Sequence, residues 1–181
     1  LSDSAVGVAR GSEPDLVGHL VDQWGAEDAL GDVSLASGHM TGLLERNLEE
    51  APDVRVAVFS SWYDRIIGDV FLKVSPMELR ESVEQETGRL HGSFPDRYRR
   101  FIIDGRMHTT LLGDASGIVG SDLGAVELPG EELGALAAIE LGGLDSTTSA
   151  SGTTIHSWIE DFVSGQSSWI DVVDDPGPVP E

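Results

Sequence analysis

The chain has no cysteine at all, and only one lysine, Lys73, among its 181 residues. Without cysteine there can be no disulfide framework, no thiolate nucleophile and no cysteine-based metal site. The five histidines follow neither an HxxxH nor an HExxH spacing, so we expect no metal site of that kind. They are His19, His39, His91, His108 and His156.

Long apolar runs and a leader-like start are also missing from this sequence. Nothing approaches the ~18 consecutive apolar residues of a membrane-spanning helix. The first residues show no charged region followed by an apolar one, as a signal peptide would. The chain begins at Leu1 in sequence that is typical of the middle of a domain. We therefore expect the polypeptide to continue upstream.

The charge balance is strongly acidic, with 32 acidic against 11 basic residues and a net charge of −21. Such a surface repels nucleic acid and anionic lipid, so we expect neither as a partner. Two interpretations of the charge remain open. It can simply keep a soluble surface well hydrated, or it can be an adaptation to high salt, where self-repulsion is screened. The length suits one domain with a normal core.

Two short β-branched runs, residues 54–59 and 98–103, dominate the middle of the chain. Between them, Ser75 and Glu78 form a capping-box pattern with Pro76 at the first helical position, which predicts a helix start. A strand, a helix and a second strand with a connection of this length form a crossover unit with parallel strands. The sequence therefore predicts an α/β fold.

Asp64 follows the first run and His108 follows the second. Parallel strands present such residues at one edge of the sheet, where α/β proteins place their chemistry. Ester hydrolysis needs a nucleophile, a base that titrates near neutral pH and an acid that orients the base. Taken singly, Asp64 could cap the following segment and His108 could bond to backbone. Their order on successive strands favours the second and third members of a Ser-Asp-His series.

Four segments resemble the pectin acetylesterase family, which includes Notum-like carboxylesterases. Phe101-Ile-Ile-Asp-Gly-Arg-Met-His-Thr-Thr-Leu111 is similar to the segment around that family's catalytic His, and Ser60-Ser-Trp-Tyr-Asp64 to the segment with its catalytic Asp. Leu1-Ser-Asp-Ser-Ala5 resembles the stretch after the nucleophile helix, and His156-Ser-Trp-Ile-Glu-Asp-Phe-Val163 the terminal helix. Ala5, where the family prefers Gly, and the long segment 112–152 are departures.

The resemblance implies a carboxylic ester hydrolase with an α/β-hydrolase fold, acting on small-molecule or carbohydrate esters without cofactor, and an extracellular or periplasmic location. Asp64 would be the orienting acid and His108 the general base. The family's serine lies in a Gly-x-Ser-Ala-Gly-Gly elbow, and no G-x-S-x-G occurs in this chain. The serine would therefore lie upstream of residue 1, and this chain alone would be inactive.

Under this interpretation, residues 1–173 are the C-terminal part of one α/β-hydrolase domain, with a parallel doubly wound sheet and flanking helices. Residues 112–152 would be an irregular insertion, and the Pro-rich residues 174–181 a disordered tail. Asp3 and Ser4 are candidates for pocket lining. Trp62 and Tyr63 are candidates for an apolar or sugar-stacking wall, although core packing is an equal alternative for Trp62.

Two other functions remain open. The domain could be a non-catalytic member of the same fold, or a doubly wound domain that binds a small ligand at the same sheet edge. No glycine-rich phosphate loop follows either strand, which weakens the ligand-binding alternative.

Overall fold

A computed structural model of the chain describes residues 2–3, 7–8, 16–30, 33, 38–108 and 143–180. The predicted insertion at 112–152 therefore lies mostly outside the described residues. The described elements, in chain order, are β1 (Ser2–Asp3), α1 (Leu16–Trp24), α2 (Glu27–Leu30), α3 (Thr41–Glu50), β2 (Val56–Ser61), a π-helix (Ile66–Leu72), α4 (Pro76–Ser93), β3 (Tyr98–Ile103), α5 (Ile155–Ser164) and β4 (Val172–Val173).

The four strands form one parallel sheet in the order β1-β2-β3-β4. Its centre is the β2–β3 pair, which runs from Val56 opposite Tyr98 to Ser61 opposite Ile103. The two outer strands contribute two residues each. The predicted pair of parallel strands with a helix between them is confirmed, and with it an α/β fold.

Side chains of β2 and β3 alternate between two cores, one on each face of the sheet. On one face, Val58 and Ile102 pack with buried residues of α3 and α4, namely Leu48, Leu79, Val83 and Leu90. On the other face, Phe59 and Phe101 pack with α5 and the segment after it, through Ile155, Trp158, Trp169 and Val172. Burial on both faces explains why Val58–Phe59 in β2 and Phe101–Ile103 in β3 are apolar, whereas the arginines lie in the first half of β3.

The start of α4 follows the predicted capping box. The Ser75 hydroxyl accepts the backbone N–H of Glu78 at 3.3 Å, and the Glu78 carboxylate accepts the backbone N–H of Ser75 at 2.9 Å. Pro76 occupies the first turn, where its missing N–H costs nothing. These local bonds set where the crossover helix begins.

In the C-terminal tail, for which the sequence predicts disorder over 174–181, the structure gives hydrogen bonds at Asp174 and Gly177. Asp174 donates its N–H to the carbonyl of Ile102 at 2.9 Å, and its own carbonyl accepts the indole N–H of Trp62 at 2.7 Å. Tyr63 donates its hydroxyl to the carbonyl of Gly177 at 2.8 Å. Buried Trp and Tyr side chains need partners for their polar atoms, and the tail backbone supplies them. Composition alone does not reveal that pairing.

Across the described ranges, no helix has both the length and the apolar character required to cross a membrane.

Candidate active site

Asp64 lies just beyond the end of β2 and is almost completely buried, with 2% of its surface exposed. Its Oδ1 accepts the backbone N–H groups of Ile66 and Ile67, each at 3.0 Å. These are the free donors at the start of the π-helix, so the carboxylate caps it. The capping role considered from the sequence is therefore real, and it fixes the position of the carboxylate.

His108 lies beyond the end of β3 and faces the Asp64 carboxylate. Its Nδ1 is 3.1 Å from both Oδ1 and Oδ2 of Asp64. The imidazole remains partly open to solvent, with 23% of the side chain exposed. A neutral imidazole that donates from Nδ1 presents a lone pair on Nε2, which is the arrangement of a general base. The pair predicted from chain order is thus in contact.

Burial raises the pKa of Asp64 above the usual range of an aspartate, because removal from water penalises the ionised form. The hydrogen bond from His108 is the largest opposing effect, followed by the backbone N–H of Ile67. Burial outweighs these donors. A positive charge on the His108 ring would therefore stabilise a carboxylate that is otherwise poorly solvated.

The two loops that carry this pair remain joined beyond the ends of their strands. The N–H of Trp62 donates to the carbonyl of Ile103 at 3.0 Å, and the N–H of Tyr63 donates to the carbonyl of Gly105 at 3.1 Å. Gly105 has φ of +109°, a region that side-chain-bearing residues rarely adopt. This turn directs the second loop back towards Asp64.

A buried hydroxyl also fixes the backbone next to the histidine. Ser61, the last residue of β2, is fully buried, and its Oγ donates to the carbonyl of Met107 at 2.6 Å. Met107 directly precedes His108 in the chain. The end of one strand is therefore bonded to the backbone that presents the imidazole.

An ion-pair cluster links the same loop to the π-helix. The guanidinium of Arg106 lies 3.2 Å from Oδ2 of Asp69, and Nε of Arg65 lies 3.4 Å from the same oxygen. All three side chains are partly exposed, so solvent screens these pairs and their contribution to stability is small. Their effect is to align the loop with the helix that Asp64 caps.

Trp62 and Tyr63, the candidates for a substrate-facing wall, lie in the core of the structure. Trp62 and Tyr63 are 3% and 2% exposed, and both belong to the core on the α4 face. Their polar atoms bond to the tail, as described above. This placement favours core packing over a substrate wall for both rings.

Asp3 lies opposite Phe59 in the sheet. The side chain of Asp3, and all of Ser4, lie outside the described residues, so their role as pocket lining stays a prediction.

Sequence reasoning did not identify Ser61 or Gly105 as part of this site. Gly105 did carry a signal, because Asp-Gly after a strand is a common turn dipeptide. The role of Ser61 had no such signal, since its partner Met107 is 46 residues away in the chain.

An apolar groove of the described region lies elsewhere, between α1, α2 and α3. It includes neither Asp64 nor His108. Its walls are Val17, Val21, Trp24, Ala26, Leu30, Met40 and Leu43.

The described site has an acid and a base, and within the described ranges no hydroxyl group is hydrogen-bonded to His108. The same ranges contain no cluster of three His, Cys, Asp or Glu side chains suited to a metal ion.

A scan against protein-family models finds no match for this chain, and searches of curated proteins and of solved structures find none either.

Proposed function

We propose that this chain supplies the acid and the base of a Ser-His-Asp carboxylic ester hydrolase of the pectin acetylesterase type. The observation that carries the proposal is the contact between His108 Nδ1 and both carboxylate oxygens of Asp64, at 3.1 Å each. The nucleophilic serine would lie upstream of residue 1. The chain would then be the C-terminal part of an α/β-hydrolase domain.

The order of elements supports this fold. The acid follows one central parallel strand and the histidine follows the next, as in α/β-hydrolases. Helix α4, which connects these strands, packs on one face of the sheet, and α5, which follows them, packs on the other. The sheet edge at which Asp64 and His108 meet is the carboxyl edge, where this class of fold places its ligands.

The proposed chemistry begins when Nε2 of His108 takes the proton of the serine hydroxyl as its oxygen attacks the ester carbonyl carbon. The tetrahedral intermediate collapses to an acyl-enzyme, and His108 returns the proton to the departing alcohol. Water then attacks the acyl group by the same route, which releases a carboxylic acid and restores the serine. The proposed steps use no metal and no organic cofactor.

Asp64 would act through the imidazole and not on the substrate. Its bond to Nδ1 selects the tautomer with a free Nε2 and holds the ring orientation. When the ring becomes an imidazolium, its positive charge adjoins a carboxylate whose burial had raised its pKa. That gain occurs only as charge develops, which is when it lowers the barrier.

A substrate that is an acyl ester of a small molecule or a carbohydrate, and an extracellular or periplasmic location, belong to the same proposal. Both rest on the family resemblance of the sequence segments.

A non-catalytic domain of the same fold is the second candidate, and one observation favours it. Asp64 Oδ1 already accepts two backbone N–H groups of the π-helix, so the carboxylate has a structural role that needs no catalysis. In that case the bond to His108 would only complete the hydrogen bonding of a buried acid.

Hydrolysis of a chromogenic acetyl ester by the protein extended upstream separates these candidates. We expect His108→Ala and Asp64→Asn to lower kcat by roughly 10³- to 10⁴-fold, as loss of the base or of its orienting acid does in serine hydrolases. His156→Ala is the matched control, because His156 also pairs with a carboxylate, Asp145 at 2.6 Å, but at the exposed surface.

Turnover in His108→Ala equal to that of the wild type would overturn the proposal. The 181-residue chain alone should have no activity that depends on His108. If it does, the nucleophile lies within the chain and the upstream placement is wrong.

A further inference from the structure

The segment 174–177 crosses the carboxyl edge of the sheet directly after β4. Asp174 bonds through its N–H to Ile102 in β3 and through its carbonyl to the indole of Trp62. Its carboxylate accepts the N–H of Ala150 at 2.9 and 3.0 Å, which anchors the segment to the turn before α5. The segment is therefore fixed at its start on three sides.

Gly177 then bridges the two loops of the candidate site with its own backbone. Its carbonyl accepts the hydroxyl of Tyr63 at 2.8 Å, and Tyr63 directly precedes Asp64. Its N–H donates to Oδ1 of Asp104 at 2.9 Å, and Asp104 begins the loop that leads to His108. Gly177 is therefore hydrogen-bonded both to the loop that carries Asp64 and to the loop that carries His108.

A side chain at this bridge would press against the Asp104 carboxylate, the end of an exposed side chain. A Cβ built on Gly177 would overlap the carboxylate of Asp104, including Oδ2. The restriction comes from this close approach, since Gly177 is not among the glycines with positive φ. A side chain at position 177 would have to displace Asp104 or lift the segment away from it.

We propose that residues 174–177 form a strap that positions the Asp64–His108 pair, with Gly177, Tyr63 and Asp104 as its positioning residues. The strap sets the relative placement of the two loops, and through them the bond between Nδ1 and the carboxylate. Its catalytic meaning rests on the function proposed above, whereas the placement itself can be measured in this chain alone.

The direct test is NMR of the 181-residue chain labelled with ¹⁵N-histidine, which reports the ring tautomer and the Nδ1 proton of His108. Gly177→Ala should abolish or broaden the Nδ1 proton resonance and move the ring nitrogen shifts towards a mixture of tautomers. Gly92→Ala is the matched control, because a Cβ there meets nothing within 4 Å. It should leave the His108 resonances unchanged.

Tyr63→Phe provides a second, milder variant, since it removes the hydroxyl donor but keeps the buried ring. It should weaken the same resonance while far-ultraviolet circular dichroism stays that of the wild type. If Gly177→Ala does not fold, Tyr63→Phe decides the question. Wild-type His108 resonances in every folded strap variant would overturn the proposal.

An activity measurement in the upstream-extended protein separates the two proposals. We expect Tyr63→Phe to lower kcat by about 10- to 100-fold with little change in KM, as small misplacements of catalytic groups do. If the strap variants lose the His108 signal but the upstream-extended wild type has no esterase activity, the strap is supported and the esterase is refuted. If the strap variants keep the wild-type His108 signal and the esterase activity requires His108, the strap is refuted and the esterase is supported.

Discussion

At the scale of single residues, Asp64 combines a structural and a chemical role in one carboxylate. It closes the start of the π-helix through Oδ1 and contacts His108 through both oxygens. The first set of bonds explains how a carboxyl group is held in place with 2% exposure. The second determines which nitrogen of the imidazole carries the proton.

The raised pKa of Asp64 predicts how Asp64→Asn changes stability with pH. A carboxyl whose pKa is higher in the folded than in the unfolded protein stabilises the fold most below its unfolded pKa, and that contribution is lost as the pH rises through the folded pKa. The free energy of unfolding of the wild type, minus that of Asp64→Asn, should therefore fall as the pH rises through the acid range. Urea unfolding at a series of pH values measures it, and a difference that grows with pH would contradict the assignment.

The backbone conformation of Gly105 gives a second prediction at the scale of single residues, for the stability of Gly105→Ala. Its φ of +109° strains any L-residue, although a Cβ there meets nothing within 4 Å. Gly105→Ala should therefore destabilise the fold by about 1–2 kcal/mol through backbone strain alone. Thermal or urea unfolding provides the measurement. Gly92→Ala, the same change inside α4, should be neutral or stabilising because alanine favours helix; equal effects of the two changes would contradict the strain argument.

At the scale of elements, α4 is the crossover helix that separates the two strands of the site. Its start depends on reciprocal bonds between Ser75 and Glu78, and the hydrogen bonds from Ser75 lower the pKa of the Glu78 carboxyl. Its apolar side then packs on the sheet through Leu79, Val83 and Leu90. Local capping fixes where the helix begins, and burial fixes its face.

Ser75→Ala should lower the free energy of unfolding by about 1 kcal/mol, the usual cost of losing an N-cap side chain. Ser82→Ala is the control, since it makes the same change within the helix, where alanine is the better helix former. Because the lowered pKa of Glu78 reflects bonding of its ionised form, the cost of Ser75→Ala should shrink as the pH falls through that pKa. Urea unfolding at two pH values tests both points; equal costs in Ser75→Ala and Ser82→Ala would refute the capping role.

At the scale of the whole molecule, the net charge of −21 acts on every element together. The ion pairs of the described region draw their cations from Arg and His, and many of these pairs are exposed. Such pairs contribute little each, so they do not cancel the mutual repulsion of the excess carboxylates.

The melting temperature should therefore rise when NaCl increases from about 0.01 M to about 0.15 M, because the Debye length falls from about 30 Å to about 8 Å. Differential scanning calorimetry across this range and on to molar salt measures the effect. A further rise up to molar salt would support adaptation to high salt. A melting temperature that stays level above about 0.15 M would remove that interpretation and leave a hydrated, highly soluble surface, and no rise at any salt concentration would contradict the repulsion argument.

Much of the central fold follows from local pattern. The two β-branched runs, the capping box at Ser75 and the length of the connection determine two parallel strands with a helix between them. Asp64 and His108 could be paired in advance because the carboxyl ends of parallel strands meet at one edge. Each of these inferences needs only neighbouring residues or a general rule of topology.

Other features depend on partners far apart in the chain. Trp62 and Tyr63 bond to the tail across 112 and 114 residues of chain. Composition alone therefore predicts neither the burial of these two rings nor the hydrogen bonds of the tail. The same holds for Ser61, which reaches Met107, and for Gly177, whose small size matters only beside Asp104.

The sequence by itself determined the class of fold, the acidic surface and the two residues that meet at the sheet edge, because periodicity, charge and chain order are properties of the chain. Only the tertiary structure decided that the acid is buried, that the aromatic residues beside it belong to the core, and that the tail binds both loops. Burial and hydrogen bonding between distant segments arise when the chain is folded, and the separate segments do not encode them.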